Sequence, residues 1–169
     1  QFLNPGIQAE GITIGIRIII LETFILYIVS SLLADKPKAL KIGLITIGVF
    51  VSIAFLKLWW QKSMGFDFAE REWLMSSGSW RTHIINTGIR YFSIISDASN
   101  FGACMGLVTI VYAIIGIHTR NKLLSYFYLA VAIMALIGMF LSGTRGAIAV
   151  PVAGIALYCL LCKNIKIFA

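Results

Sequence analysis

Charge is what this sequence has least of. Its 169 residues include fourteen Lys and Arg and seven Asp and Glu, 12% in all, where a soluble domain carries about 25%. So few charges do not cover a water-facing surface, which excludes an ordinary soluble domain. Two histidines and three cysteines are too few for a disulfide framework or a His/Cys-rich metal centre. Cys104, Cys159 and Cys162 all fall in apolar runs. Cys159-x-x-Cys162 has redox or zinc spacing but lacks a second ligand pair, so all three read as packing residues. No strand-and-turn rhythm interrupts the long apolar runs, which argues against a β architecture. The net charge of +7 does not mark a nucleic-acid binder, because the basic residues punctuate apolar runs instead of sharing one polar face.

What the chain does have is hydrocarbon. It is 59% hydrophobic, with a mean hydropathy of +0.91. A bilayer core takes about 20 apolar residues of helix. Five runs meet that need, at 12–33, 39–58, 98–118, 123–141 and 146–162. The expected fold is therefore all-α: a polytopic transmembrane bundle of about five helices, one membrane domain over residues 1–169. The chain begins with Gln1 and ends just after a helical run, and is read as a piece of a longer protein.

Lysine sets the expected orientation. Lys36, Lys38 and Lys41 flank the first connection, Arg120 and Lys122 the third, and Lys163 and Lys166 follow the last helix. Alternating helices put these three places on one side, and short basic loops mark the cytoplasm. The N-terminus, the 59–97 loop and the turn after the fourth helix then face outward. Trp59, Trp60, Phe66, Phe68, Trp73 and Trp80 suit that loop to the membrane interface. Asp67-x-x-Glu70 caps a short amphipathic helix ending near Ser77-Gly78.

Against this background the outer arginines stand out. Between Leu123 and Cys162 the single charge is Arg145, in the stretch LSGTRGAIAVPVAG. Arg81 and Arg90 lie in RTHIINTGIRYF, and Arg17 lies near the outer end of the first helix, with Glu22 deeper. Arginine in or near hydrocarbon is costly and turns toward protein or a wet cavity. Several around one cavity form an anion site, and the guanidinium fork suits phosphate. Ser142, Thr144 and the amides at the start of the last helix add donors there. The structural alternative is that Arg145 snorkels to headgroups or pairs with Glu22 or Asp97. Arg17 and Glu22, about 140° apart on a helix, do not pair with each other. His83, between Arg81 and Arg90, is a candidate general base; His118, at the cytoplasmic edge, is a weaker one. Pro151 falls in the first turns of the last helix, where it kinks the helix or is accommodated locally.

The run RYFSIISDASNFGACMG (90–106), followed by a helix pair and SGTRGA (142–147), resembles the O-antigen ligase and polymerase family of bacterial membrane glycosyltransferases. The resemblance rests on an outer arginine, Arg90, then Asn100 with Phe101 at a helix start, then Thr144-Arg145-Gly146. It implies transfer of a glycan from an undecaprenyl-pyrophosphate carrier to an acceptor sugar, such as lipid A core or another lipid-linked repeat, on the periplasmic face of the inner membrane. The reaction it implies is inverting and metal-independent, with no cofactor. By motif Arg145 and Arg90 are the catalytic arginines, with His83 the candidate base. Arg81, Arg17, Ser142, Thr144 and Asn100 are the expected substrate contacts, of which Arg81 and Arg17 come from topology alone. Asp97-Ala98-Ser99-Asn100 stands where the family commonly has Asn-Pro-Asn, and Thr144 where it has serine. Family members have about a dozen helices and a large outer loop beyond the fifth, so this chain alone is expected to be inactive. Two other functions fit the pattern: a transporter of a small anion, and a non-catalytic scaffold associating through Gly102-x-x-x-Gly106 and Ala149-x-x-x-Ala153.

Overall fold

The computed structural model describes residues 36–85, 88–95 and 97–162, with single helical positions at 24, 27, 28, 30 and 31. The expected helix at 12–33 otherwise lies outside the described residues. The chain divides into two compact units, Gln1–Thr46 and Ile47–Ala169. The first helix, α1, begins in the first unit; everything else below concerns the second.

The described residues are mostly helical. α1 (Pro37–Met64) is followed by a short α2 (Phe68–Ser76) and a single turn, α3 (Trp80–His83). Then come a two-stranded ribbon, β1 (Ile84–Ile85) and β2 (Gly88–Ile89), and two long helices, α4 (Ala98–His118) and α5 (Lys122–Leu141). A 3-10 turn (Arg145–Ile148) leads into α6 (Ala149–Cys162). Four helical stretches among the described residues are long and apolar enough to cross a bilayer: Pro37–Met64, Ala98–His118, Lys122–Leu141 and Arg145–Cys162. They make the chain a membrane protein.

Each element has a local cause. Pro37 opens α1, where its missing N–H costs nothing. Asp67 and Glu70 form a reciprocal capping box on α2: Glu70 N–H donates to Asp67 Oδ1 and Asp67 N–H to Glu70 Oε2. Asp97 caps α4, accepting from Ser99 N–H and Asn100 N–H. Asn121 caps α5. Three residues join α4 to α5, so the two lie antiparallel as close neighbours. Their seam buries Phe101, Met105, Tyr112, Tyr128, Val131, Ala135 and Met139. Tyr112 and Tyr128 meet edge to face at 5.7 Å. α1 reaches this pair through Leu58, which faces Gly138, and through Gly48, which stands against Phe127 and Tyr112.

The outer-loop reading needs two corrections. α1 does not stop at residue 58 but continues for six residues to Met64. The polar look of the WQKSM stretch hid this, because Gln61 is buried and its amide is fully used. Secondly, 84–89 is a ribbon, paired Ile84 with Ile89 and Ile85 with Gly88. Two residues per strand are too few to show a period of two in sequence.

A second cluster lies under the loop, where Leu74, Phe92 and Ala98 are buried with Phe66 and Trp73 against them. Above it, the loop is fastened to α1. Gln61 accepts from Ser93 N–H at 2.9 Å and donates to Ser93 C=O at 3.2 Å. Ser93 Oγ donates to the Ala54 carbonyl. Ser93 has a left-handed backbone, φ 55°, uncommon for a non-glycine residue. The three bonds from α1 hold it there.

Candidate functional site

Arg90 is delivered by the ribbon. Its N–H donates to the His83 carbonyl at 2.8 Å, so residues 83 and 90 close the two-strand pairing. From there the guanidinium reaches the far helices. Nη2 donates to Ser99 Oγ at 3.0 Å on α4 and to Thr144 Oγ1 at 2.9 Å in the turn after α5. Nη1 makes a long contact, 3.5 Å, with the Thr82 carbonyl. Thr144 in turn donates to the Ala98 carbonyl at 3.1 Å. Nε is buried and has no partner among the described residues. No carboxylate pairs with Arg90 among the described residues; the ion pairs found are those of Lys57. A half-buried guanidinium with neutral partners only is an uncompensated charge, and its natural complement is an anion.

The turn that carries Thr144 is built for close approach. Gly143 has φ 65°, and a side chain there would meet Arg90 Cγ at 3.2 Å. Ser142 is fully buried; its Oγ donates to the Met139 carbonyl at 2.7 Å and accepts from Thr144 N–H at 3.3 Å. The turn sits on Gly102 of α4, where a Cβ would collide with Ser142 Oγ and come within 3.2 Å of both Thr144 and Ala147. One helical turn on, a Cβ on Gly106 would stand 3.1 Å from the Ala147 carbonyl and from Pro151 Cδ. Pro151 has no N–H to offer that carbonyl, its i−4 partner, and is accommodated near the start of α6. Gly102-x-x-x-Gly106 is thus occupied inside the chain, Gly102 by the SGTRG turn with Ala147 and Gly106 by Ala147, Pro151 and Met139.

Between ribbon and turn lies a cavity of about 280 Å³. Ile85, Gly88 and Ile89 form one wall, and Phe140, Gly143 and Ile148 the other. Arg90, Thr144 and Arg145 supply its polar groups. The Arg145 side chain is exposed and has no hydrogen bond or ion pair among the described residues. The arrangement is two guanidiniums, one anchored and one free, with a hydroxyl between apolar walls. Chemically it can hold a phosphate-like group attached to something greasy.

The other expected site residues fall elsewhere. His83 is 2% exposed and sits in the aromatic cluster, with ring centroids 4.7 Å from Phe92 and 5.9 Å from Trp73. Its Nδ1 lies 3.3 Å from the Arg90 carbonyl oxygen, a contact that fixes the arginine's backbone. Arg81 is exposed and packs on Trp80, 5.5 Å from the ring centroid. Asn100 is exposed at the start of α4, and Ser142 is committed within the turn. None of these four lines the cavity. Asp97 serves as the α4 cap and forms no ion pair with Arg145. Arg17 and Glu22 lie outside the described residues. Ser99 was not anticipated as a contact. The signal was present: positions 99, 102 and 106 share one face of α4, and the last two are glycines.

The chain was compared with family models, curated proteins and solved structures, and it matches none of them.

Proposed function

We propose that this chain carries the donor-phosphate half of a membrane glycosyltransferase of the O-antigen ligase and polymerase type. In this reading the cavity binds the pyrophosphate of an undecaprenyl-pyrophosphate-linked glycan, on the periplasmic side of a bacterial inner membrane. The glycan is handed to an acceptor sugar, as ligase or polymerase. The single observation that carries the proposal is the Arg90–Thr144 hydrogen bond across a cavity rimmed by Arg145. It joins the two stretches on which the resemblance rests.

The chemistry follows from charge. An acceptor hydroxyl oxygen bonds to the anomeric carbon with inversion, while the bond from that carbon to the pyrophosphate oxygen breaks. Negative charge grows on the departing pyrophosphate, and Arg90 and Arg145 are the groups that stabilise it. Arg90, already held by Ser99 and Thr144, needs little reorganisation; Arg145 is free to close on the ligand. The hydroxyl proton goes to a general base. Among the described residues the cavity wall itself contains no carboxylate or imidazole.

The test is Arg145→Lys in the full-length protein in its native host, with membrane abundance checked. Loss of the long-chain polysaccharide ladder, with lipid-linked glycan accumulating, supports the proposal, because lysine cannot supply paired hydrogen bonds. An unchanged ladder rejects it and favours an anion carrier or a scaffold.

A further inference from the structure

We infer that α2 lies in the headgroup layer of the bilayer, with Phe68 and Met75 turned into the lipid. The inference does not depend on the glycosyltransferase reading.

Depth is the first argument. α2 does not stand above the end of α1 but folds back beside it. Its cap residue Asp67 accepts from Lys57 Nζ at 2.8 Å, and Glu70 accepts from Lys57 at 2.9 Å and from Gln61 Nε2 at 2.9 Å. Lys57 lies about 10 Å short of the C-terminal end of α1 at 1.5 Å per residue. A hydrocarbon core takes about 20 residues of helix, and α1 has 28. The apolar run 39–58 accounts for that length, and the C-terminal end beyond it, with Trp59, Trp60 and Lys62, has interfacial composition. Lys62 Nζ stands 5.6 Å from the Trp59 ring centroid, a pairing of cation and aromatic suited to that layer. The start of α2 is therefore level with the aromatic belt.

The second argument is the face α2 leaves uncovered. At about 100° per residue, positions 68 and 75 lie within about 20° of each other. Leu74 is buried and Trp73 half-buried on the opposite side. Phe68 is 83% exposed and Met75 67% exposed, a large apolar pair facing away from the protein. Arg71 and Glu72 flank the pair and limit its depth to the headgroups. Lipid is the occupant this surface fits, since it is level with the exposed Leu56, Trp59 and Trp60 on the spanning helix.

Spin labels decide it. The full chain, with its three cysteines replaced by serine, carries one new cysteine at 68, 69, 75 or 76, all exposed positions. It is reconstituted in vesicles of phosphatidylcholine and phosphatidylglycerol. Oxygen access exceeding that of a water-soluble nickel chelate at 68 and 75, with the reverse at 69 and 76, is the expected result. Nickel access equal at all four overturns the inference, and so does exclusion of both reagents at 68 and 75, which would mean a protein cover. Should the cysteine-free chain not fold, peroxide oxidation of Met75 in the unsubstituted protein serves. The expected rate in vesicles is about fivefold or more below that of free methionine; an equal rate overturns the inference.

Discussion

Arg90 donates to Thr144 across 54 positions of the chain, at 2.9 Å, and Thr144 passes the link on to the Ala98 carbonyl at 3.1 Å. One hydroxyl thereby orients the guanidinium and ties the ribbon to both long helices. Thr144→Ser keeps the hydroxyl and should behave as wild type. Thr144→Val removes it, leaving a partly buried charge and a carbonyl short of a partner. A loss of about 1–3 kcal/mol in stability is expected, read by thermal unfolding in detergent, together with weaker pyrophosphate binding by calorimetry.

Gly102→Ala and Gly146→Ala should part company. A methyl on Gly102 meets Ser142 Oγ, Thr144 and Ala147, whereas one on Gly146 meets nothing within 4 Å. Overpacking of this kind costs about 1–3 kcal/mol. The Gly102 variant should unfold earlier and lose anion binding, while the Gly146 variant keeps both.

The place of His83 among buried aromatics gives a prediction for the candidate base. Its ring fills the space between Trp73 and Phe92, and Nδ1 meets the Arg90 carbonyl. His83→Phe keeps the ring and loses the polar contact. In the proposed reading, transfer activity of the full-length protein should fall by less than about tenfold, below the 10²–10⁴ typical of a lost general base. Its pH–rate profile should keep the wild-type shape.

Acid should loosen α2. The Lys57 ammonium hydrogen-bonded to Asp67, with the Glu70 amide adding to it, holds the Asp67 carboxyl below its ordinary value of 3.8. A carboxyl whose folded pKa is depressed stabilises the fold fully above the unfolded value, and that contribution goes as pH falls through the folded pKa. Stability should therefore change little through Asp67 from pH 7 to about 5 and drop below about 4. Asp67→Asn should be less stable than wild type at neutral pH, with the difference vanishing in acid. Denaturant unfolding followed by circular dichroism at several pH values measures both.

The clamp between α1 and the loop should be costly to open. Gln61→Leu leaves the buried N–H and C=O of Ser93 without their partners. About 1–3 kcal/mol is at stake for an unsatisfied buried group. Hydrogen exchange should rise across residues 90–95 before it rises in α4.

How far the sequence carried differs from element to element. α4 and α5 were legible almost to the residue, since each is an apolar run of about bilayer length between short polar connections; their caps, Asp97 and Asn121, emerged only with the structure. The α2 capping box was legible because Asp-x-x-Glu is a local rule. Gln61 misled, because a buried glutamine and a solvated one look alike until the partner, Ser93, is known. The meeting of Arg90 with Thr144 lies beyond any periodicity. It was approached only through the resemblance, which pointed to both stretches without giving a contact. Ser99 was passed over for Asn100, one position on and about 100° round the helix, and the structure turns Ser99 toward Arg90.

The clamp at Gln61 has a mechanical side. One wall of the cavity, with Ile85, Ile89 and Arg90, hangs from α1 through Ser93; the other, with Phe140, Thr144 and Arg145, belongs to the α4–α6 stack. α1 packs on that stack through Gly48, which receives Phe127 and Tyr112, and through Leu58 on Gly138, and Arg90 ties the two walls together through Ser99 and Thr144. One buried amide, Gln61, thus sets where the ribbon wall stands relative to the spanning helix, although it lines no part of the cavity.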